Sequence, residues 1–259
     1  MPICQLGSET RKKGVLMANR LVEKLKGFAD LSEAEVAALK AVTTRVRKFA
    51  ARQDLIREGD RPGPVFVMLE GWAFRYKLLP DGNRQIMALL MPGDSSNLNV
   101  GMLAAMDHSI QAACSARVAM IPRAAMADLL KKHAGIAKAL YLAQLCDEGT
   151  MRAWIVSMGR RGTVEQVAHL MCELYTRGRL AGLTMDGELH LPVSHIVLAD
   201  ALGMTPVHFS RVLKKLRALG AMTLRRGILT IGDLTSLIDI SGFEENYLHR
   251  AIRDSATAI

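Results

Sequence analysis

The sequence predicts an α+β chain in three parts: an antiparallel, jelly-roll-like β-roll, one long helix, and a C-terminal winged helix-turn-helix. Three observations predict it. Gly59, Gly71, Gly82 and Gly93 punctuate short β-type runs every 11 or 12 residues. Residues 134–158 then run without proline in helical periodicity. Finally, PVSHIVLADALGMTPVHFSRVLKKLRALGAMTL at 192–224 holds two short amphipathic segments broken at Gly203.

Taken in order, residues 1–16 are polar and basic and are expected to be a disordered upstream extension, because the better helix, ANRLVEKLKGF, opens just after Met17. Ser32 followed by Glu35 forms a capping box ahead of a second helix. The apolar runs VFVML, WAFRYKLL and IMALLM lie between the glycine turns, and Asp81-Gly82 is a hairpin signal. Pro122 suits the start of a short helix, closing a first domain at 17–133. Along the 134–158 helix, Ala139, Leu142, Cys146, Gly149, Ala153 and Val156 alternate by three and four. Small residues on such a seam allow a close helix pair, so these six are expected to form a dimer interface, with Cys146 facing its mate. A second stripe, Ile136, Leu140, Met151 and Ile155, is left to pack on the chain's own β-domain. Gly159 and Gly162 mark a hinge into a second domain at 159–240, beginning with a helix from Thr163 to Tyr175 and a loop at 178–190. His169 and Cys172, three apart, read as core rather than as metal ligands.

The 192–224 stretch carries the chemistry. Ser194 caps a first helix, Gly203 permits the turn, Thr205 caps a second helix running to Leu219, and Pro206 suits its first turn. At about 100° per residue, Phe209, Val212, Leu213, Leu216 and Leu219 share one arc. Pro206, Val207, Ser210, Arg211, Lys214, Lys215 and Arg217 share the other, with His208 on the border. An acid-free cationic face suits phosphates and base edges, so Thr205, Pro206, Val207, His208, Ser210, Arg211, Lys214, Lys215 and Arg217 are the expected contacts to double-stranded DNA. MTLRRGILTI then reads as a wing, whose Arg225 and Arg226 reach backbone phosphate. Residues 241–259 are left as a tail.

Composition agrees. The formal net charge is +9, and between residues 200 and 232 six Lys or Arg face Asp200 alone. A polyanionic partner fits that balance. No apolar run approaches about 18 residues, so no membrane span is expected. Cys4, Cys114, Cys146 and Cys172 are scattered without zinc or iron–sulfur spacing, consistent with thiols in a reducing cytoplasm. No metalloprotease, nucleophile-elbow or P-loop pattern appears, and no enzyme is expected.

The segments EGD at 58–60, LEGWAFRYKLLPDGNRQI at 69–86, MPGD at 91–94, MDHSI at 106–110 and GMTPVHFSRVLKKLRALG at 203–220 together resemble the Crp/Fnr-type bacterial transcription regulators. That resemblance implies a cyclic-nucleotide-binding-like sensor roll and sequence-specific operator binding by a homodimer. It also implies RNA polymerase as a partner if the protein activates. By the same resemblance, Asn97, Asn99, His108 and Ser109 lie where an effector pocket would be. Two departures matter. Cyclic-AMP-binding members carry Gly-Glu-Leu and Arg-Ser; this chain has SSNLNVGMLAAMDHSI, with no Glu and with His108-Ser109 for Arg-Ser. Without the guanidinium the bidentate phosphate partner is gone, so no control by cyclic AMP is expected. No cofactor is expected and the effector stays open. On the reading helix, Val207 stands where members commonly have Glu, while Ser210-Arg211 is retained, so the operator should differ from the usual one. A rival reading makes the chain a ligand-binding or scaffold module whose helix-turn-helix serves protein contacts; salt-dependent DNA binding separates the two.

Overall fold

A computed structural model describes residues 19–96 and 103–249. The expected extension at 1–16, together with Asn97 and Asn99, lies outside the described residues.

Local signals explain the first elements. Asn19 accepts from the Leu21 and Val22 amides and opens α1 (Arg20–Lys26), and the Ser32–Glu35 capping box opens α2 (Glu33–Val42). Seven strands follow: β1 (Val46–Phe49), β2 (Asp54–Ile56), β3 (Val65–Glu70), β4 (Ala73–Leu78), β5 (Arg84–Leu90), β6 (Ser109–Ala112) and β7 (Ala116–Ile121). They form two antiparallel sheets, ordered β1-β7-β3 and β2-β6-β4-β5. Gly71 shows why glycine is needed at a turn: its φ is +77°, and a Cβ there would collide with the Ser115 carbonyl oxygen.

After α3 (Arg123–Lys132), the long helix α4 runs Ala134–Arg160 and α5 runs Thr163–Leu180, five residues beyond its expected end at Tyr175. The stretch expected as a loop at 178–190 instead holds β8 (Thr184–Met185) and β9 (Glu188–His190). The helix-turn-helix is α6 (His195–Ala201) and α7 (Pro206–Ala218), followed by the wing strands β10 (Met222–Arg225) and β11 (Ile228–Ile231) and by α8 (Leu234–Ser241). The expected two-stranded wing is thus half of a four-stranded sheet, β10-β11-β9-β8. Strands of two and three residues are too short to display alternation, which is why the sequence hides them.

The tertiary structure divides the expected seam on α4. Ala139 and Cys146 are buried in the chain's own core with Leu21, Val22 and Leu25 of α1. The Cys146 thiol donates to the Leu248 carbonyl at 3.3 Å, inside the chain's own core. A Cβ on Gly149 would meet the Tyr247 carbonyl at 2.8 Å. These three seam residues are therefore covered from within. Leu142 and Ala153 are half-buried, and Val156 is exposed. The second stripe splits too: Ile136 and Leu140 are buried, whereas Met151 and Ile155 are 50% and 61% exposed. Small residues fit a close neighbour of any origin; here the neighbours are α1 and the chain's own C-terminal turn.

That turn is a one-turn 3-10 helix, Glu245–Leu248, and it gives the expected tail a structured start. Beneath it lies a buried polar cluster. The Glu173 carboxylate, fully buried, accepts from Trp154 Nε1 at 2.9 Å, Tyr247 Oη at 3.1 Å and Arg177 Nη1 at 3.1 Å. Arg177 continues to the Leu89 carbonyl at 2.9 Å and to Asp94 at 3.0 Å. Lys24 meets the other Asp94 oxygen at 2.6 Å. Burial opposes ionisation of Asp94, but Lys24 and Arg177 outweigh it and hold the carboxyl below its ordinary range. Glu173, pushed upward by burial, is only partly rescued by Arg177 and its neutral donors. The cluster joins the roll, α4 and α5, and one apolar core runs from Trp72, Phe74 and Leu89 of the roll to Leu198 and Phe209 of the helix-turn-helix.

Candidate nucleic-acid interface

Caps and a glycine aim the site. Ser194 Oγ accepts from the Val197 amide at 3.3 Å and starts α6. Gly203, at φ +61°, supplies the left-handed turn, and Thr205 Oγ1 accepts from the His208 amide at 3.2 Å to start α7. The two helix axes differ by 96°, within the range of a helix-turn-helix. Leu198, Ala199, Ala201, Phe209, Val212 and Leu216 close the interior between them.

The outer face of α7 follows from that packing. Thr205, Pro206, Val207, Arg211, Lys214, Lys215 and Arg217 are exposed, Val207 by 63%. Ser210 and His208 are half-buried, and His208 Nε2 is enclosed without a hydrogen-bond partner among the described residues. The wing tip carries Arg225 and Arg226, both exposed, in a two-residue turn where Arg226 and Gly227 have φ of 51° and 74°. Among the described residues, none of the six cations Arg211, Lys214, Lys215, Arg217, Arg225 and Arg226 takes part in an ion pair. Unneutralised charge on an exposed helix and wing is what counterion release from a phosphate backbone requires.

The β-roll positions differ. His108 is 4% exposed, and its Nδ1 lies 2.6 Å from Asp107 Oδ1. Burial depresses its basicity and Arg75 nearby adds to the effect, against the pull of Asp107. With the proton held on Nδ1 by Asp107, a neutral ring offers a bare acceptor at Nε2, which is buried without a partner among the described residues. Ser109 Oγ accepts from the Glu58 amide at 2.9 Å. Sequence reasoning passed over Arg75, because one arginine inside an alternating strand carries no local signal. His169 and Cys172 take up core roles: the imidazole packs on Phe243 and Tyr247, and the thiol lies 3.7 Å from Ser241 Oγ.

A winged helix-turn-helix with a free cationic reading helix defines a DNA-binding protein. The comparisons say which. Residues 165–240 match the Crp-like helix-turn-helix domain and residues 46–133 the cyclic nucleotide-binding domain. The transcriptional activatory protein AadR of Rhodopseudomonas palustris is 30% identical over 200 residues, 72% of this chain and 77% of the relative. The nitrogen fixation regulation protein FixK of Bradyrhizobium diazoefficiens is 28% identical over 206 residues, 79% of this chain and 85% of its own. The solved structure of FixK2 from Bradyrhizobium japonicum has the same fold, with a TM-score of 0.67 at 22% identity over 75% of this chain and 96% of that one. The chain belongs to the Crp/Fnr family and is a DNA-binding transcription regulator.

Proposed function

We propose that the protein works as a homodimer that reads an inverted-repeat operator through α7, with Arg225 and Arg226 gripping phosphate. One observation carries the reading: a cationic helix face and wing tip that are exposed and unneutralised. Residues 17–133 form the sensing half and 159–240 the reading half, joined by α4. The dimer forms along the outer face of α4, where Tyr141, Met151, Ile155 and Val156 are 63%, 50%, 61% and 53% exposed. Of the seam expected from the sequence, this face keeps Val156. Paired there, two α7 helices enter successive major grooves, about 34–36 Å apart. Arg211 suits guanine O6 and N7, and Val207 suits a thymine methyl where a carboxylate would have accepted from cytosine.

Cyclic AMP is not the effector in this reading. His108, buried and held at Nδ1 by Asp107, stands where the cyclic-AMP-binding relatives carry a guanidinium, and an imidazole offers no bidentate partner to a phosphate. As a chromosomal DNA reader the protein acts in the cytoplasm, and where it activates, like the relatives named activators, RNA polymerase is its partner. Selection of bound duplexes from random DNA tests the proposal. It should return an inverted repeat at moderate salt, and recovery of random sequence alone would refute it.

A further inference from the structure

An ion pair ties the β-roll directly to the first helix of the helix-turn-helix. Arg84, the first residue of β5, reaches across to Asp200 on α6, with Nε at 3.0 Å and Nη2 at 2.6 Å from Oδ2. Both side chains are 23% exposed, so the pair is shielded but not dry. The arginine is held at its root as well. Its guanidinium lies over the Phe74 ring at 5.0 Å and the Tyr76 ring at 5.8 Å, both on β4. Tyr76 is anchored in turn, donating to Asp54 at 3.2 Å and standing in register with Ser109 on β6. At the other end, Asp200 lies between Ala199 and Ala201, both fully buried. A shift of Asp200 therefore moves the helix on which α7 is seated.

Asp200 is also the lone acid between residues 200 and 232. Its carboxylate is taken up by Arg84 of the roll. We propose that Arg84 and Asp200 are positioning residues for operator reading: the pair ties the helix-turn-helix to the sensor sheet and holds α7 at the angle the operator requires. The proposal rests on the dimeric, inverted-repeat reading above. Fixed geometry matters to a protein that must meet two half-sites at once, since every orientation a loose head can sample lowers the fraction competent to bind. It matters little to random duplex, where phosphate attraction works at any register.

The test uses the full-length protein with Arg84→Ala, Asp200→Asn, Arg84→Lys and the reciprocal pair Arg84→Asp/Asp200→Arg. Affinity is measured for the selected operator and for random duplex at one salt concentration. Tolerance to altered half-site spacing and amide exchange over residues 195–201 are measured in parallel. Each single neutral variant should lower the operator-to-random ratio about tenfold, the scale of one charge-assisted hydrogen-bonded contact. Spacing tolerance should widen and exchange over 195–201 should quicken, while random-duplex affinity stays unchanged. Arg84→Lys should fall between, and the reciprocal pair should recover part of the loss. An unchanged ratio and spacing preference in the single variants would overturn the proposal. So would equal losses on operator and random duplex, or a gain in operator affinity. If the wild-type protein selected no inverted repeat, the dimeric reading would fail on its own account. The exchange measurement would still judge the tie, with unaltered protection over 195–201 in Arg84→Ala counting against it.

Discussion

Arg177→Ala should destabilise the fold by opening its buried ion-pair cluster. The guanidinium, 15% exposed, is shared by Glu173, Asp94 and the Leu89 carbonyl. Removing it leaves Asp94 with Lys24 and the Met91 amide and strands the fully buried Glu173 carboxylate with two neutral donors, Trp154 and Tyr247. Breaking a buried ion pair from one side costs about 3–5 kcal/mol. For a chain of this size that corresponds to a fall in Tm of roughly 6–20 °C. The pH dependence has a definite sign. Glu173 already sits above its ordinary value because of burial, and Arg177 opposes that shift. Without Arg177 its folded pKa rises further above the unfolded one, so the stability it contributes is full at low pH and is lost as pH rises. The deficit of the variant should therefore be greatest near pH 8 and shrink toward pH 5. Urea unfolding of the full-length protein at several pH values measures it. The double variant Arg177→Met/Glu173→Gln, with no stranded charge, should recover at least about 1 kcal/mol. A deficit below about 1 kcal/mol, or one that is flat from pH 5 to pH 8, would refute the reasoning.

Three further outcomes are expected. Arg211→Ala should cost about 1–3 kcal/mol on the operator and relax one position per half-site, whereas Lys214→Ala or Lys215→Ala should weaken all duplexes alike and flatten the salt slope; binding titrations on operator and random DNA distinguish these results. Ile155→Glu, on the outer face of α4, should convert the proposed dimer to a monomer in sedimentation without unfolding it, and a persistent dimer would place the interface elsewhere. Burial, with Arg161 adding to it, pushes His169 down to about 4. Its contribution is thus complete above the unfolded value and lost as pH falls from about 6.5 toward 4, up to about 3 kcal/mol in all. Replacing it in His169→Leu should flatten the acid limb of the stability profile over that window.

How far the sequence could be read depended on the range of the forces involved. Thr205, Pro206 and Gly203 act on amides and dihedrals within a turn of themselves, and the arc of Phe209, Val212 and Leu216 repeats at the helical period. The amino-acid string alone therefore determined where α7 begins, which way it faces and which cations it presents. The same holds for the capping box at Ser32 and the glycine turns of the roll. What α4 packs against was not local. Ala139, Cys146 and Gly149 are small, and smallness permits close approach without naming the neighbour, so only the folded chain decided that α1 and the 245–248 turn take those places. Strands of two or three residues at 184–190 carried no period to detect. The links between the halves, Arg84 to Asp200 and Arg177 to Asp94, span 116 and 83 residues. No spacing rule reaches so far: each charge found its partner because packing brought two distant elements together, and burial then made a partner necessary.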